Sequence, residues 1–154
     1  MAGAGTTDIG FYQLNRSPLE RALPRLVERA LDGGFRVLIR CGSRPRLDQL
    51  NGVLWTYDPG SFLPHGGPED GNAADQPVYL SEATDNPNGA RLLVLVDGVE
   101  AADLDRFERC LDLFDGTDPE ALEAARRRWR ALKDEGWRLT YWAQTDDGIW
   151  QEKC

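Results

Sequence analysis

The first stretch with a clear pattern, "DIGFYQL" (8–14), alternates apolar and polar residues and reads as a strand. The spacing then turns helical over "SPLERALPRLVERALDGG" (17–34). Ser17 stands as N-cap, Pro18 at the first helical position and Glu20 where a capping box needs it. Pro24 inside this pattern predicts a kink or a later start, and Gly33 and Gly34 predict the end. "FRVLIRC" (35–41) is a continuous β-branched and apolar run, as in a strand buried on both faces. "SRPRLDQLNGVLW" (43–55) opens on a Ser cap and carries Leu47, Leu50 and Leu54 at helical spacing.

A long Gly- and Pro-dense loop is predicted over 58–76, followed by strands at "PVYLS" (77–81) and "ARLLVLVDG" (90–98). Two helices are then predicted. The first covers about 101–115 with Phe107, Leu111 and Phe114 as its stripe; the second covers 118–135, opened by Thr117, Pro119 and Glu120 and closed by Gly136. "WRLTYWAQ" and "GIWQE" pair around the turn "TDDG". Strands alternating with helices predict an α/β fold, a single three-layer sandwich with a mostly parallel central sheet flanked by helices. The whole chain, 1–154, reads as one domain, with 1–7 and 152–154 as loose ends.

Composition adds exclusions. With 41% apolar residues the chain can fill one core, and no run approaches the ~20 apolar residues of a membrane span. The N-terminus lacks the basic start and apolar run of a secretion signal, so a cytoplasmic protein is expected. Cys41, Cys110 and Cys154 match no zinc or redox spacing; the first two read as buried thiols, and no metal is expected. No GxGxxG or GxxxxGK[ST] occurs, so no nucleotide cofactor is expected. The net charge of −8 argues against broad phosphate neutralisation and strong direct nucleic-acid binding. It is also uneven: residues 100–120 are strongly acidic, while Arg126, Arg127, Arg128, Arg130, Lys133 and Arg138 form an island that suits a small acidic partner.

Two places carry candidate chemistry. "SFLPHG" (61–66) holds the one histidine, His65, four residues after Ser61, which raises a hydrolase as the alternative. A nucleophile elbow needs GxSxG, however, and Pro64 has no N–H to donate. The same stretch with Trp55, Tyr57 and Phe62 reads either as a loop folded over its own aromatics or as an apolar patch for a partner, stiffened by Pro59 and Pro64. On the helix 118–135, Leu122, Ala125, Trp129 and Leu132 form the core stripe. Arg126, Arg130 and Lys133 fan along one edge of it, with Arg127 on the far side. An indole beside guanidinium groups makes a slot for an aromatic side chain plus a carboxylate.

"FYQL", "RVLIRC", "LDQLNGVLW", "SFLPHG", "QPVYL", "RLLVLVDG", "FERCLDLFDG", "ARRRWRALKDEGWRLTYWAQ" and "GIWQEK" occur in order. Together, from about Asp8 to Lys153, they resemble the chi subunit of bacterial DNA polymerase III holoenzyme. The resemblance implies a domain without a catalytic site, an adaptor with two surfaces. One holds the psi subunit of the clamp loader; the other binds the acidic C-terminal tail of single-stranded DNA-binding protein, which ends in Pro-Phe. Carried over by position, Arg126, Trp129 and Arg130 are tail-binding residues, joined by Lys133 from the helix wheel. Trp55, Phe62, Pro64 and His65 form the psi-facing loop, which a repair helicase could also use. "GGPEDGNAADQ" is variable in the family, and the final "TDDGIWQEKC" has no equivalent in some members.

Overall fold

In the computed structural model, residues 7–56, 65–68 and 72–153 are described, without the side chains of Trp55 and His65. The elements in chain order are β1 (Asp8–Leu14), α1 (Leu19–Asp32), β2 (Val37–Arg40), α2 (Arg44–Thr56), β3 (His65–Gly66), β4 (Val78–Ser81), β5 (Leu92–Val96), β6 (Arg109–Asp115), α3 (Pro119–Asp134), β7 (Arg138–Gln144) and β8 (Trp150–Glu152). Short 3₁₀ turns lie at Ala73–Asp75 and Leu104–Arg106. The strands form one sheet in the order β3-β4-β2-β5-β6-β1-β7-β8, every pair parallel except β7–β8. Helices α1 and α2 cover one face through Leu23, Val27, Leu50 and Leu54. Helix α3 and the Leu104 turn cover the other, over Phe11, Leu38, Leu93 and Cys110. The three-layer α/β sandwich is therefore present. Among the described residues no helix is long and apolar enough to cross a membrane.

Several local expectations are corrected. Residues 109–115 are the central strand β6, not the end of a helix, and only Leu104–Arg106 make a 3₁₀ turn before it. Strand β6 is covered on both faces, but Asp112 breaks its apolar run, so Phe107, Leu111 and Phe114 imitate a helical stripe. Helix α1 begins after Pro18, with no side-chain cap. The Ser17 amide donates to Gln144 Oε1, and Glu20 pairs with Arg46 at 3.3 Å, so no capping box forms. The helix runs unbroken across Pro24. On α3 the cap is Asp118, which accepts from the Glu120 amide, because the Thr117 hydroxyl is engaged with Asp115. Part of the 58–76 loop is the edge strand β3. At the ends, Thr7 is buried and donates to the carbonyls of Leu104 and Phe107, and Glu152 belongs to β8.

Cys41 and Cys110 are buried free thiols, as expected. Burial pushes the Cys41 thiol up to about 12 and that of Cys110 well above its ordinary value. Neither is a poised nucleophile.

Arg40, at the end of β2, is the largest fully buried side chain among the described residues. It donates twice to Asp103, at 2.7 and 2.8 Å, and to the Asp85 carbonyl, and it lies over the Phe107 ring. One guanidinium thus ties two loops to the sheet. Its hydrogen bonds hold the Asp103 carboxyl below the usual range. That sign means a contribution present above the unfolded value, about 3.9, and lost as pH falls through the folded one. In Asp103→Asn, stability at neutral pH is expected to fall by about 1–2 kcal/mol. The acid-induced loss should shrink by a similar amount. Urea unfolding at about pH 6 and about pH 3 reads both; an unchanged acid dependence would remove Asp103 from the account.

Candidate functional site

An open parallel sheet has one natural ligand crevice, where neighbouring strands send their connections to opposite faces. Here that point lies between β1, which leads into α1, and β6, which leads into α3. A cleft of about 690 Å³ opens there, lined by Asn15, Ser17, Asp97, Asp115, Thr117 and Asp118 among others. Most of its donors are already engaged. The amides of Asn15, Arg16 and Ser17 all donate to Gln144 Oε1, at 3.1, 2.9 and 3.0 Å. This is the turn that would cradle a phosphate in a nucleotide-binding relative of the fold. Arg46 is tied to Asp97 and Glu20, and Arg128 to Asp112. Apart from the exposed Arg16, the charged groups left at the rim are acidic, Asp115 and Asp118 among them, a poor match for an anionic ligand.

The expected site on α3 is built differently. Asp118, Pro119 and Glu120 start the helix, and Gly136, at φ 89°, ends it in a backbone conformation that glycine adopts without strain. Ala125 is fully buried, while Leu122, Trp129 and Leu132 are half-buried against the core, which confirms the predicted stripe. Trp129 meets the edges of two rings, Phe11 and Tyr141, each with centroids 5.5 Å away. Phe114 completes this aromatic group, and the Tyr141 hydroxyl donates to Gln13. The indole is thus a partly exposed wall held rigidly from behind.

The cations along the helix are of three kinds. Arg126 is exposed and, among the described residues, has no ion pair or hydrogen bond. Lys133 is exposed beside it on the wheel. Arg130 is exposed too but shares Glu123 with Arg127, each at 3.8 Å, in solvated pairs that contribute little. Glu123 therefore sits among the predicted tail-binding cations, a carboxylate the sequence reading had not placed there. Arg128 emerges on the opposite edge and makes two bonds to Asp112, at 2.8 and 2.9 Å, with 10% and 5% of the two side chains exposed. Burial pushes the Asp112 carboxyl up, against the pull of Arg128. This pair was missed. The signal was available: an acid inside an apolar strand run needs a buried partner, and Arg128 lies at the stripe's other edge.

The second predicted cluster falls largely outside the described residues: Ser61, Phe62 and Pro64 lie there entirely. Trp55 is placed in α2 and His65 in β3, without their side chains. Both elements belong to the β3 end of the sheet, whereas Arg126 and Trp129 ride on α3 over β1 and β7, towards the other end. Among the described residues, the backbone positions of Trp55 and His65 thus lie on other elements than the one that carries Arg126 and Trp129. Among the described residues no group of three or more His, Cys, Asp or Glu could hold a metal ion.

These features define an open parallel α/β domain in which the backbone amides at the crevice are held by Gln144 and the unpaired cations Arg126 and Lys133 lie along one edge of α3. The chain belongs to the DNA polymerase III chi subunit family: the family described as "DNA polymerase III chi subunit, HolC" matches residues 6–140. A protein of Rickettsia prowazekii named probable DNA polymerase III subunit chi is 29% identical over 103 residues, covering 67% of this chain and 62% of its own length. The DNA polymerase III subunit chi of Pseudomonas aeruginosa is 28% identical over 115 residues, 75% of this chain and 79% of that one. The Haemophilus influenzae subunit of the same name is 28% identical over 108 residues, 70% and 74% respectively.

Proposed function

We propose that the protein is a non-catalytic adaptor subunit of DNA polymerase III, acting in DNA replication. It links the clamp loader, through psi, to the C-terminal tail of single-stranded DNA-binding protein. The observation that carries this reading is Arg126, an exposed and unpaired guanidinium three residues before a half-buried indole on one helix. A tail ending in Pro-Phe offers a phenyl ring and a terminal carboxylate side by side. Trp129 walls the ring, Arg126 meets the carboxylate, and Arg130 and Lys133 attract the aspartates upstream. Trp55, Phe62, Pro64 and His65 are the surface for psi, with a repair helicase as an alternative partner of the same loop. That α2 and β3, which carry Trp55 and His65, lie towards one end of the sheet and α3 towards the other supports a protein that holds two partners at once.

Calorimetry of the full chain with a peptide ending in Asp-Pro-Phe tests the tail half of this reading. Removing the final Phe is expected to weaken binding at least about tenfold, the equivalent of 1.4 kcal/mol. Undiminished binding of the shortened peptide would mean the slot is elsewhere.

A further inference from the structure

The face of the sheet opposite α3 carries a groove that the adaptor reading leaves unused. Helix α1 lies over the middle of the sheet, and the hairpin β7–β8 rises at its edge. Between them runs a channel with two connected parts, of about 480 and 270 Å³, which share Leu26, Arg29, Trp142 and Trp150. Its floor is aromatic. Tyr12 of β1 and Trp142 of β7 are register partners whose rings stack at 6.1 Å and 7°. Trp150 of β8 meets Tyr12 edge-on at 5.1 Å. Gly10 leaves room for this arrangement: a Cβ there would come within 2.8 Å of the Tyr12 ring. All three rings are partly exposed.

One wall is cationic. Arg21, Arg25 and Arg29 are exposed on α1 at four-residue intervals, which puts them in one row about 6 Å apart along the axis. Arg109, the exposed first residue of β6, closes the inner end. Among the described residues none of the four forms an ion pair or a side-chain hydrogen bond. Opposing them are Asp147 in the β7–β8 turn and Glu152, two residues beyond Trp150 on its strand. The positive charges of Arg109 and Arg29 reach the Tyr12 hydroxyl and pull its pKa down, against the stronger upward push of burial. Cations and rings therefore share one surface. The linear charge count had missed this, because the four arginines come from two distant segments.

We propose that this groove is a low-affinity binding track for single-stranded nucleic acid, with the arginine row of α1 along the phosphates and Trp142, Trp150 and Tyr12 as the stacking floor. The chemistry is that of sequence-tolerant single-strand binding, in which a positive groove follows the backbone and aromatic rings take the bases. The net charge of −8 keeps the contact weak at physiological salt. This site stands apart from the tail slot, which lies on α3 across the sheet.

Fluorescence anisotropy of the full chain with a labelled oligothymidylate of about 20 nucleotides, a length that covers one such site, tests the assignment. Binding is expected in the micromolar range at about 50 mM salt, with a slope of log K against log salt near −3 for four phosphates at about −0.7 each. Arg29→Glu is expected to weaken it at least about fivefold and to flatten the slope, while the charge-matched Arg127→Glu changes it less than about twofold. Trp150→Ala should cost about tenfold, with circular dichroism to check the fold. No binding, or equal losses in Arg29→Glu and Arg127→Glu, would overturn the track. So would full binding by a folded Trp150→Ala. A poly-aspartate peptide that displaces the oligonucleotide and itself depends on Arg29 would assign the groove to an acidic protein instead.

Discussion

Replacing Arg128 by alanine is expected to destabilise the protein by about 3–5 kcal/mol, the range seen when one partner of a buried ion pair is removed. The reason lies in β6. Asp112 is nearly inaccessible in a central strand, and the two bonds from Arg128 are the ones that satisfy its oxygens. Without the guanidinium the carboxylate is a buried, uncompensated charge, and burial drives its pKa further up. A raised folded pKa is favourable only at low pH, so the variant should regain stability as the medium is acidified. In the parent Arg128 opposes this upward shift, and both proteins keep the Arg40–Asp103 clamp, so acidification should narrow the stability gap between them. The double variant Arg128→Met with Asp112→Leu should recover most of the loss, since a buried pair exchanged for apolar groups of similar volume is often neutral. Thermal melting reads the effect as a drop on the order of 10 °C in Tm. A cost below about 1 kcal/mol would mean that Asp112 is not charged in the folded protein.

Tail binding should respond as strongly to the other edge of the same helix. Arg126→Ala is expected to cost about 2–4 kcal/mol of affinity for a peptide ending in Asp-Pro-Phe, the loss that follows when a desolvated charge contact is truncated. Arg126 is already exposed and unpaired, so it gives up no internal partner on binding. Arg127→Ala, a third of a turn further from the stripe and next to Glu123, should cost little. Glu123 refines the picture. It draws Arg130 towards itself and repels the aspartates of the tail, so Glu123→Gln should tighten binding modestly. Calorimetry across the three variants separates these roles. Equal losses for Arg126→Ala and Arg127→Ala would reduce the helix to a diffuse cationic surface.

Legibility in the sequence followed the physics of each element. Helix α3 was readable because its cap region, its stripe and Gly136 all point to one structure, and β2 and β5 because nothing interrupts their apolar runs. Strand β6 failed at Asp112, where a tertiary partner sixteen residues away makes a charge acceptable in a central strand. The N-caps failed for a related reason: Gln144 takes the Ser17 amide that a capping box would give to Glu20, and the Thr117 hydroxyl is held by Asp115. Arg126 and Trp129 could be found on a helical wheel, since their relation is local. The α1 groove could not, because Tyr12, Arg109, Trp142 and Trp150 meet only once the strand order is known.

That order has a consequence for how the chain is made. Strand β1 precedes every other strand in the chain order, yet both its neighbours, β6 and β7, come after β2, β4 and β5. The turn after β1 is fastened by Gln144, 129 residues later. The block β2-β4-β5 can pair while synthesis continues, but β1 must wait, with two open edges, until its slot is formed. Loop closure of that span is slow and exposes the strand to wrong partners. Strand β1 therefore has both its partners only once β7 has been made, and its entry into the sheet is expected to be a late step of folding.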